Sequence, residues 1–435
     1  MQKNRIIKLQ FNKATAFSAT IMIMAMLVCA GCVKGNSAAV PVEETQSEQQ
    51  QETIETAEEP QQEPDAESLL LSEPEVVPEL PPETVRLVMV GDVLLHTPIN
   101  ESALQEDGSY DYSHLFRNIT PDIQSADIAI VNQEVILGGT ELGLSGYPAF
   151  NSAYEVGDAL ADAGFDVVLH ATNHALDKGR KGILNCLTYW REQQPQMQVT
   201  GIYDSAKAQE SELCICERNG IKVAILNYTY GTNGIPMPEG MPYAVNLMNQ
   251  EQIAKDVKRA KEAADFVVVC PHWGTEYSHE ISGQQDKYAQ IFADLGVDLV
   301  IGTHPHVIEP VAWVESTIAD GTSEENPHQM LVYYSLGNFI NATSGAGAGV
   351  ADRMIGAMAD VTLTRNDDGV VVIEDYRVAP LVTQMLTGRS RITTYKLSDY
   401  SQKLADENEI IERDSVFSFE YCKEVCRNVF GDLYE

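Results

Sequence analysis

Positive charge is what this sequence is short of: 29 Lys and Arg stand against 64 Asp and Glu, a formal net charge of −35. No stretch offers a basic face to phosphates, so nucleic acid is excluded as a partner. The shortage is sharpest in residues 36–84, which hold 14 Asp and Glu and no Lys or Arg. Cysteine is also sparse. Six of the eight lie beyond Cys32, and none of those six has the Cys-x-x-Cys spacing of a structural zinc site. Cys214 and Cys216 alternate in an apparent strand, Cys422 and Cys426 lie one helical turn apart, and Cys186 and Cys270 stand alone in apolar surroundings. There is no internal repeat, which excludes a solenoid.

What is present begins with a processing signal. Residues 1–34 carry Lys3, Arg5, Lys8, Lys13 and Lys34 around an apolar run from Ala14 to Gly31. A basic start, an apolar middle and small residues before a cysteine mark an export signal. The ending LVCAGC resembles a bacterial lipoprotein box. Residues 1–31 are therefore expected to be a lipoprotein signal peptide, with Cys32 lipidated as the first residue of the mature chain. Cys29, where such a box has Leu, keeps an uncleaved membrane anchor as the alternative. Either arrangement tethers the chain to the extracytoplasmic face of a bacterial cell membrane. Residues 32–84, rich in Pro, Gln and Glu, bury too little apolar surface to offset their ordering entropy and read as a disordered acidic stalk. The folded domain is expected over 85–435. It is acidic as well, with 50 Asp and Glu against 24 Lys and Arg.

From Val85 onward, apolar runs alternate with amphipathic segments. VRLVMVGD (85–92), ADIAIVNQE (126–134), FDVVLHATN (165–173), GIKVAILNYT (220–229), DFVVVCPHWG (265–274), VDLVIGTHPH (297–306) and MLVYYSLGNF (330–339) read as strands. Runs this continuous in Val, Ile and Leu indicate strands buried on both faces, hence an α/β fold. GAMADVTLTRNDDGVVVIEDYRVAP (356–380) alternates around Asp368-Gly369 and reads as an antiparallel hairpin. A β-rich second half points to two packed sheets with outer helices.

Most of the runs end in a residue able to bind metal or phosphate: Asp92, Glu134, Asn173 with His174, His272, and His304 with His306. In α/β sheets, sites assemble at that edge. Carboxylates, imidazoles and an amide without thiolates suit Mn²⁺, Zn²⁺ or Fe²⁺. The set is too large for one tetrahedral zinc and fits two divalent metal ions sharing a carboxylate, an arrangement that serves displacement at phosphorus. His174 is placed to protonate the leaving oxygen. Glu276 and Asn338 are read as substrate-binding groups, with Trp273 and Tyr277 in the same stretch as Glu276 and Glu276 also available to orient His272. His114, His279 and His328 lie in polar stretches and are expected to be solvated.

The motifs GDVLLH, NQE, TNHALDKG, HWGTEY, GTHPHV and YSLGNF together resemble the poly-γ-glutamate capsule synthesis protein CapA family, a branch of the calcineurin-like metallophosphoesterases. The resemblance implies a four-layer α/β/β/α sandwich of two mixed sheets with a two-metal site at strand ends. It implies Asp92 and His306 as ligands of the first metal and Glu134 at the bridging position. It implies Asn173, His272 and His304 on the second metal, with His174 as the catalytic acid. The wider phosphoesterase pattern has Asp-x-His at the first strand, and here His96 falls two residues late. Two functions follow: a phosphoester hydrolase, or a non-catalytic component that binds or exports an anionic surface polymer such as poly-γ-glutamate. Both are expected to work beside membrane-embedded polymer synthesis partners.

Overall fold

The computed structural model describes residues 83–318 and 327–434. The signal peptide, Cys32 and the stalk up to residue 82 lie outside the described residues. No helix of the described residues is long and apolar enough to cross a membrane.

Fourteen strands are described in chain order: β1 (Thr84–Val93), β2 (Ile128–Asn132), β3 (Val167–Leu169), β4 (Gln198–Thr200), β5 (Cys214–Arg218), β6 (Ile221–Thr229), β7 (Phe266–His272), β8 (Leu299–Ile301), β9 (Val311–Glu315), β10 (Gln329–Tyr333), β11 (Asn338–Ile340), β12 (Ile355–Arg365), β13 (Val371–Leu386) and β14 (Ser390–Lys396). They form two mixed sheets. The first runs β14-β13-β12-β1-β2-β3-β4, with β11 added to β1. Within it, β1 to β4 and β11 are parallel, and β12 to β14 are antiparallel. The second runs β5-β6-β7-β8-β10-β9, parallel from β6 to β10 with an antiparallel strand at each edge.

The continuous apolar runs are explained by four layers. In the second sheet, Ala224, Leu226, Val267, Val269 and Val300 pack on one face against Ile253, Val257 and Ala260 of helix Gln250–Ala263 and Phe292 of helix Gly283–Asp294. The alternate residues Val223, Ile225, Val268, Cys270 and Ile301 turn the other way into the core shared with the first sheet. There Cys270 Sγ meets Met89 Sδ of β1 at 3.7 Å. Val156 and Leu160 of helix Glu155–Ala163, and Ile183 and Leu187 of helix Gly179–Gln193, belong to the same core. Both faces of a strand in such a sandwich are dry, which is why period-two alternation is missing.

Local chemistry fixes the ends of these elements. Asn249 caps the helix at Gln250 by accepting from Gln252 N, and Ser282 with Gln285 forms a capping box on the helix at Gly283. The β12–β13 hairpin turns at Gly369, whose φ of +79° favours glycine. The six cysteines beyond Cys32 are free and buried. The three polar-stretch histidines differ from expectation, because each is half-buried and bonded. His114 Nε2 lies 3.1 Å from Ser102 Oγ, His279 Nδ1 lies 2.7 Å from Ile308 O, and His328 Nε2 lies 2.6 Å from Val297 O.

Candidate metal centre

Asp92 owes its position to the glycine before it. A Cβ on Gly91 would stand 1.9 Å from Gly337 O, so only glycine lets β1 and β11 approach this closely. The register of β1 shifts at this point against both β2 and β11, an irregularity that re-aims the next side chain. Asp92 is fully buried. Its Oδ1 accepts from Asn132 Nδ2 at 2.8 Å, and its Oδ2 accepts from His304 N at 3.3 Å and lies 3.1 Å from His306 Nδ1.

Glu134 follows the end of β2 and is also fully buried. Neither of its carboxylate oxygens has a hydrogen-bond partner. Its Oε1 is 3.7 Å from His272 Nε2, 3.7 Å from His306 Nε2 and 4.0 Å from His174 Nε2. Burial holds this carboxyl well above the usual range, against the pull of His306 and with the charges of Asp92 and Glu276 adding to the rise. Burial opposes charge on His306 too, but Glu134 and Asp92 outweigh it and hold that imidazole up at about 9. Burial, then neighbouring imidazoles, keep His272 and His304 far below their ordinary value. Both are therefore neutral, the form in which imidazole binds a metal.

These groups fit a cation. A buried carboxylate with two unpartnered oxygens is costly unless something positive meets it, and His304 Nδ1 is buried and unpartnered beside it. One ligand atom each from Glu134, His272 and His304 lies within 4.8 Å of the others, as do those of Asp92, Glu134 and His306. Glu134 belongs to both sets. A third set joins Glu276 to His304 and His306 at the exposed rim. Asn173 joins the centre through Oδ1, 3.0 Å from His272 Nε2.

His174 is held differently. Its Nδ1 lies 2.7 Å from Asp177 Oδ2, its ring stands edge-on to Phe150 at 4.6 Å, and its Nε2 faces Glu134. Asp177 was not singled out in the sequence, although it lies three residues on within TNHALDKG. Asn132, which orients Asp92, was missed as well, although it opens the NQE motif.

The THPH turn departs from ordinary backbone. His304 has φ of +102° and His306 φ of +59°, conformations that residues with side chains rarely adopt. Pro305 between them removes a further degree of freedom.

Two expectations need correction. Asn338, expected to touch substrate, is 2% exposed. Its Nδ2 donates to His306 O and Arg353 O, and its Oδ1 lies 3.1 Å from His306 Nδ1, so it holds His306. Glu276 does not orient His272, because Thr303 Oγ1 sits 3.0 Å from His272 Nδ1 and takes that place. Trp273 is fully buried and donates to Tyr334 O at 2.9 Å, so it packs the second sheet. His96 lies in none of the three ligand sets. Its Nδ1 accepts from Ala342 N at 3.2 Å, and burial pulls its imidazole down to about 4.

The sequence has relatives among known proteins. The capsule biosynthesis protein CapA of Bacillus anthracis is 28% identical over 273 residues, covering 59% of this chain and 60% of that protein. The PGA biosynthesis protein CapA of Bacillus subtilis (strain 168) is 30% identical over 182 residues, covering 42% of this chain and 44% of that protein. The chain thus matches about half the length of these curated relatives. The calcineurin-like phosphoesterase YfkN of Bacillus subtilis overlays at a TM-score of 0.39 and 13% identity, covering 79% of this chain and all of that one, too distant a likeness to argue from. The family described as bacterial capsule synthesis protein PGA_cap matches residues 86–343, more than half of the chain, and takes in every group of the centre. The chain belongs to that family.

Proposed function

We propose that this protein is a two-metal hydrolase of phosphoester type, serving surface-polymer synthesis or export from a lipid anchor on the extracytoplasmic face of the membrane. The observation that carries the reading is Glu134, a buried carboxylate with both oxygens unpartnered and three imidazole nitrogens within 4.0 Å of Oε1.

Asp92 and His306 would hold one ion, His272, His304 and Asn173 the other, with Glu134 between them. Two such ions, Mn²⁺, Zn²⁺ or Fe²⁺, supply an activated water and stabilise the entering and leaving oxygens at phosphorus. The rest of the work falls to the chain. Asp177 accepts the proton-bearing Nδ1 of His174, which fixes the tautomer and turns Nε2 toward the centre. In its doubly protonated form the ring keeps the Nδ1 proton on Asp177 and gives the Nε2 proton to the leaving oxygen, which leaves it neutral. Asn132 keeps Asp92 oriented, and Asn338 does the same for His306. Phe150 closes one side of His174 and excludes water from it.

The test is elemental analysis of the full-length protein after Mn²⁺ or Zn²⁺ loading, combined with a panel of phosphoesters and γ-glutamyl polymers. Close to two ions per chain and Mn²⁺-dependent hydrolysis are expected. No bound metal after loading would sink the reading. One observation favours a second reading, a non-catalytic polymer-binding component: His96 is committed to Ala342 N instead of the centre. Metal binding with no turnover on any substrate of the panel would select it.

A further inference from the structure

In a chain this acidic, most of the described arginines find carboxylates. Arg86 pairs with Asp360, Arg191 with Asp204, Arg218 with Asp166 and Arg413 with Glu409. Arg117, Arg180, Arg353, Arg389 and Arg391 form no ion pair among the described residues, and of these Arg353 and Arg389 both reach the segment that follows β11. Arg389 Nη1 donates to Ala342 O at 3.5 Å, and Arg353 Nη1 donates to Thr343 Oγ1 at 3.4 Å. Those acceptors are consecutive residues just beyond β11, the strand whose Asn338 holds His306.

Arg353 is bound into the centre from two directions. Its carbonyl accepts from Asn338 Nδ2 at 3.0 Å and Asn341 Nδ2 at 2.8 Å. Its guanidinium stacks 3.5 Å above the ring of Tyr277, which in turn lies 5.9 Å from the ring of His306. Its Nε is buried with no hydrogen-bond partner. The adjacent acid, Asp352, forms no ion pair with it and is engaged instead by His279 Nε2 at 3.4 Å and by Tyr421 OH at 2.5 Å. Gly345 leaves room for the fork, since a Cβ there would stand 3.1 Å from Arg353 Nη1. Stacking and packing pre-organise a guanidinium, which lowers the entropy lost when it grips a planar anion.

We infer that Arg353 and Arg389 form an anion-holding subsite beside the metal centre, which takes a carboxylate or phosphate group of the substrate next to the group being attacked. This deepens the hydrolase reading and rests on it for the identity of the neighbouring reaction, but it is measurable without the metals.

The experiment uses full-length protein stripped of metal with EDTA and titrated calorimetrically at low ionic strength with two probes, a γ-linked glutamate oligomer and a polyphosphate of matched length. Arg353→Met should weaken at least one probe about tenfold, the loss of a charge-assisted pair. Arg389→Met should weaken the same probe by less. Arg353→Lys should recover part of the loss, because it keeps the charge and loses the fork. Whichever probe responds identifies the anion. Arg117→Met, an exposed arginine with no ion pair among the described residues, should bind as wild type. Unchanged binding of both probes in Arg353→Met and Arg389→Met, or an equal loss in Arg117→Met, would overturn the subsite. Should Arg353→Met unfold early in a thermal scan, Arg389→Met and Arg353→Lys decide the matter. Failure of the hydrolase reading appears separately, in the metal content of the loaded wild type.

Discussion

The two sheets contribute opposite chemistry to one centre. Strand ends of the first supply acids and amides: Asp92, Asn132, Glu134, Asn173, and His174 with its Asp177. Strand ends of the second supply imidazoles, His272, His304 and His306. The acidic half carries the charge that neutralises dications, and the imidazole half adds neutral donors kept uncharged by burial at His272 and His304. Neither buried ligand set comes from one half alone. Docking the sheets creates both, and Glu134, which lies in both buried ligand sets, is the link between them.

Breaking that link should have the largest effect. Glu134→Gln should strip metal from both positions, and by more than any single histidine change. In metal-free protein the same change should leave the thermal midpoint close to that of the wild type, because burial already holds the Glu134 carboxyl well above its usual range and so disfavours its charge. Elemental analysis and differential scanning calorimetry check the two halves of this prediction. Retained metal in the variant would show that the acidic half is not the link.

Next come the imidazoles. His304→Ala should empty one position and His306→Ala the other, so a metal titration of either should fall from two ions to one. The remaining ion should also bind more weakly, while the lost one drops beyond the 10–100-fold typical of residues outside the ligand shell. An equal stoichiometry in wild type and the double variant would refute the division between positions.

Asp177→Asn sharpens the comparison from the other side. It should leave metal occupancy unchanged and lower turnover roughly 100-fold, because a mis-set tautomer disables the proton donor. Loss of metal in this variant would move Asp177 from the proton relay to the metal ligands.

The smallest effect lies away from the centre. Burial works against charge on His279, but Asp352 raises its pKa; burial likewise raises Asp352, but His279 and Tyr421 hold it low. A raised histidine loses its contribution as pH climbs through its folded value, and a lowered carboxylate loses its own as pH falls. The pair thus contributes most between about pH 4 and pH 6.5, and no more than ~1 kcal/mol because both are partly exposed. His279→Gln should lower stability within that window and flatten the losses that the wild type shows on either side of it, read from unfolding midpoints across pH.

The sequence displays the strand ends well, because a polar group capable of ligation after a buried run stands out against Val and Ile. It displays the orienting groups poorly. Asn132 sits inside the run that ends at Glu134, and Asp177 lies in what reads as a loop; neither has a periodicity that sets it apart. The strands β9 and β14 were also missed, since Val311–Glu315 and Ser390–Lys396 are half-polar edge strands without a long apolar run. Asn338 shows the opposite error. Its motif marks a tight approach to the site, but only the coordinates reveal that its amide is already spent on His306 and Arg353.

The contact between Asp92 and His306 spans 214 residues of chain. A pairing that distant closes only after most of the domain has been synthesised and both sheets have condensed, since loop closure must be offset by contacts already made. On the two-metal proposal, metal uptake would therefore be a late event in the life of the polypeptide. It makes a strict marker of native assembly: a chain truncated before Asn338, whatever secondary structure it retains, should take up no ion at the Asp92 position.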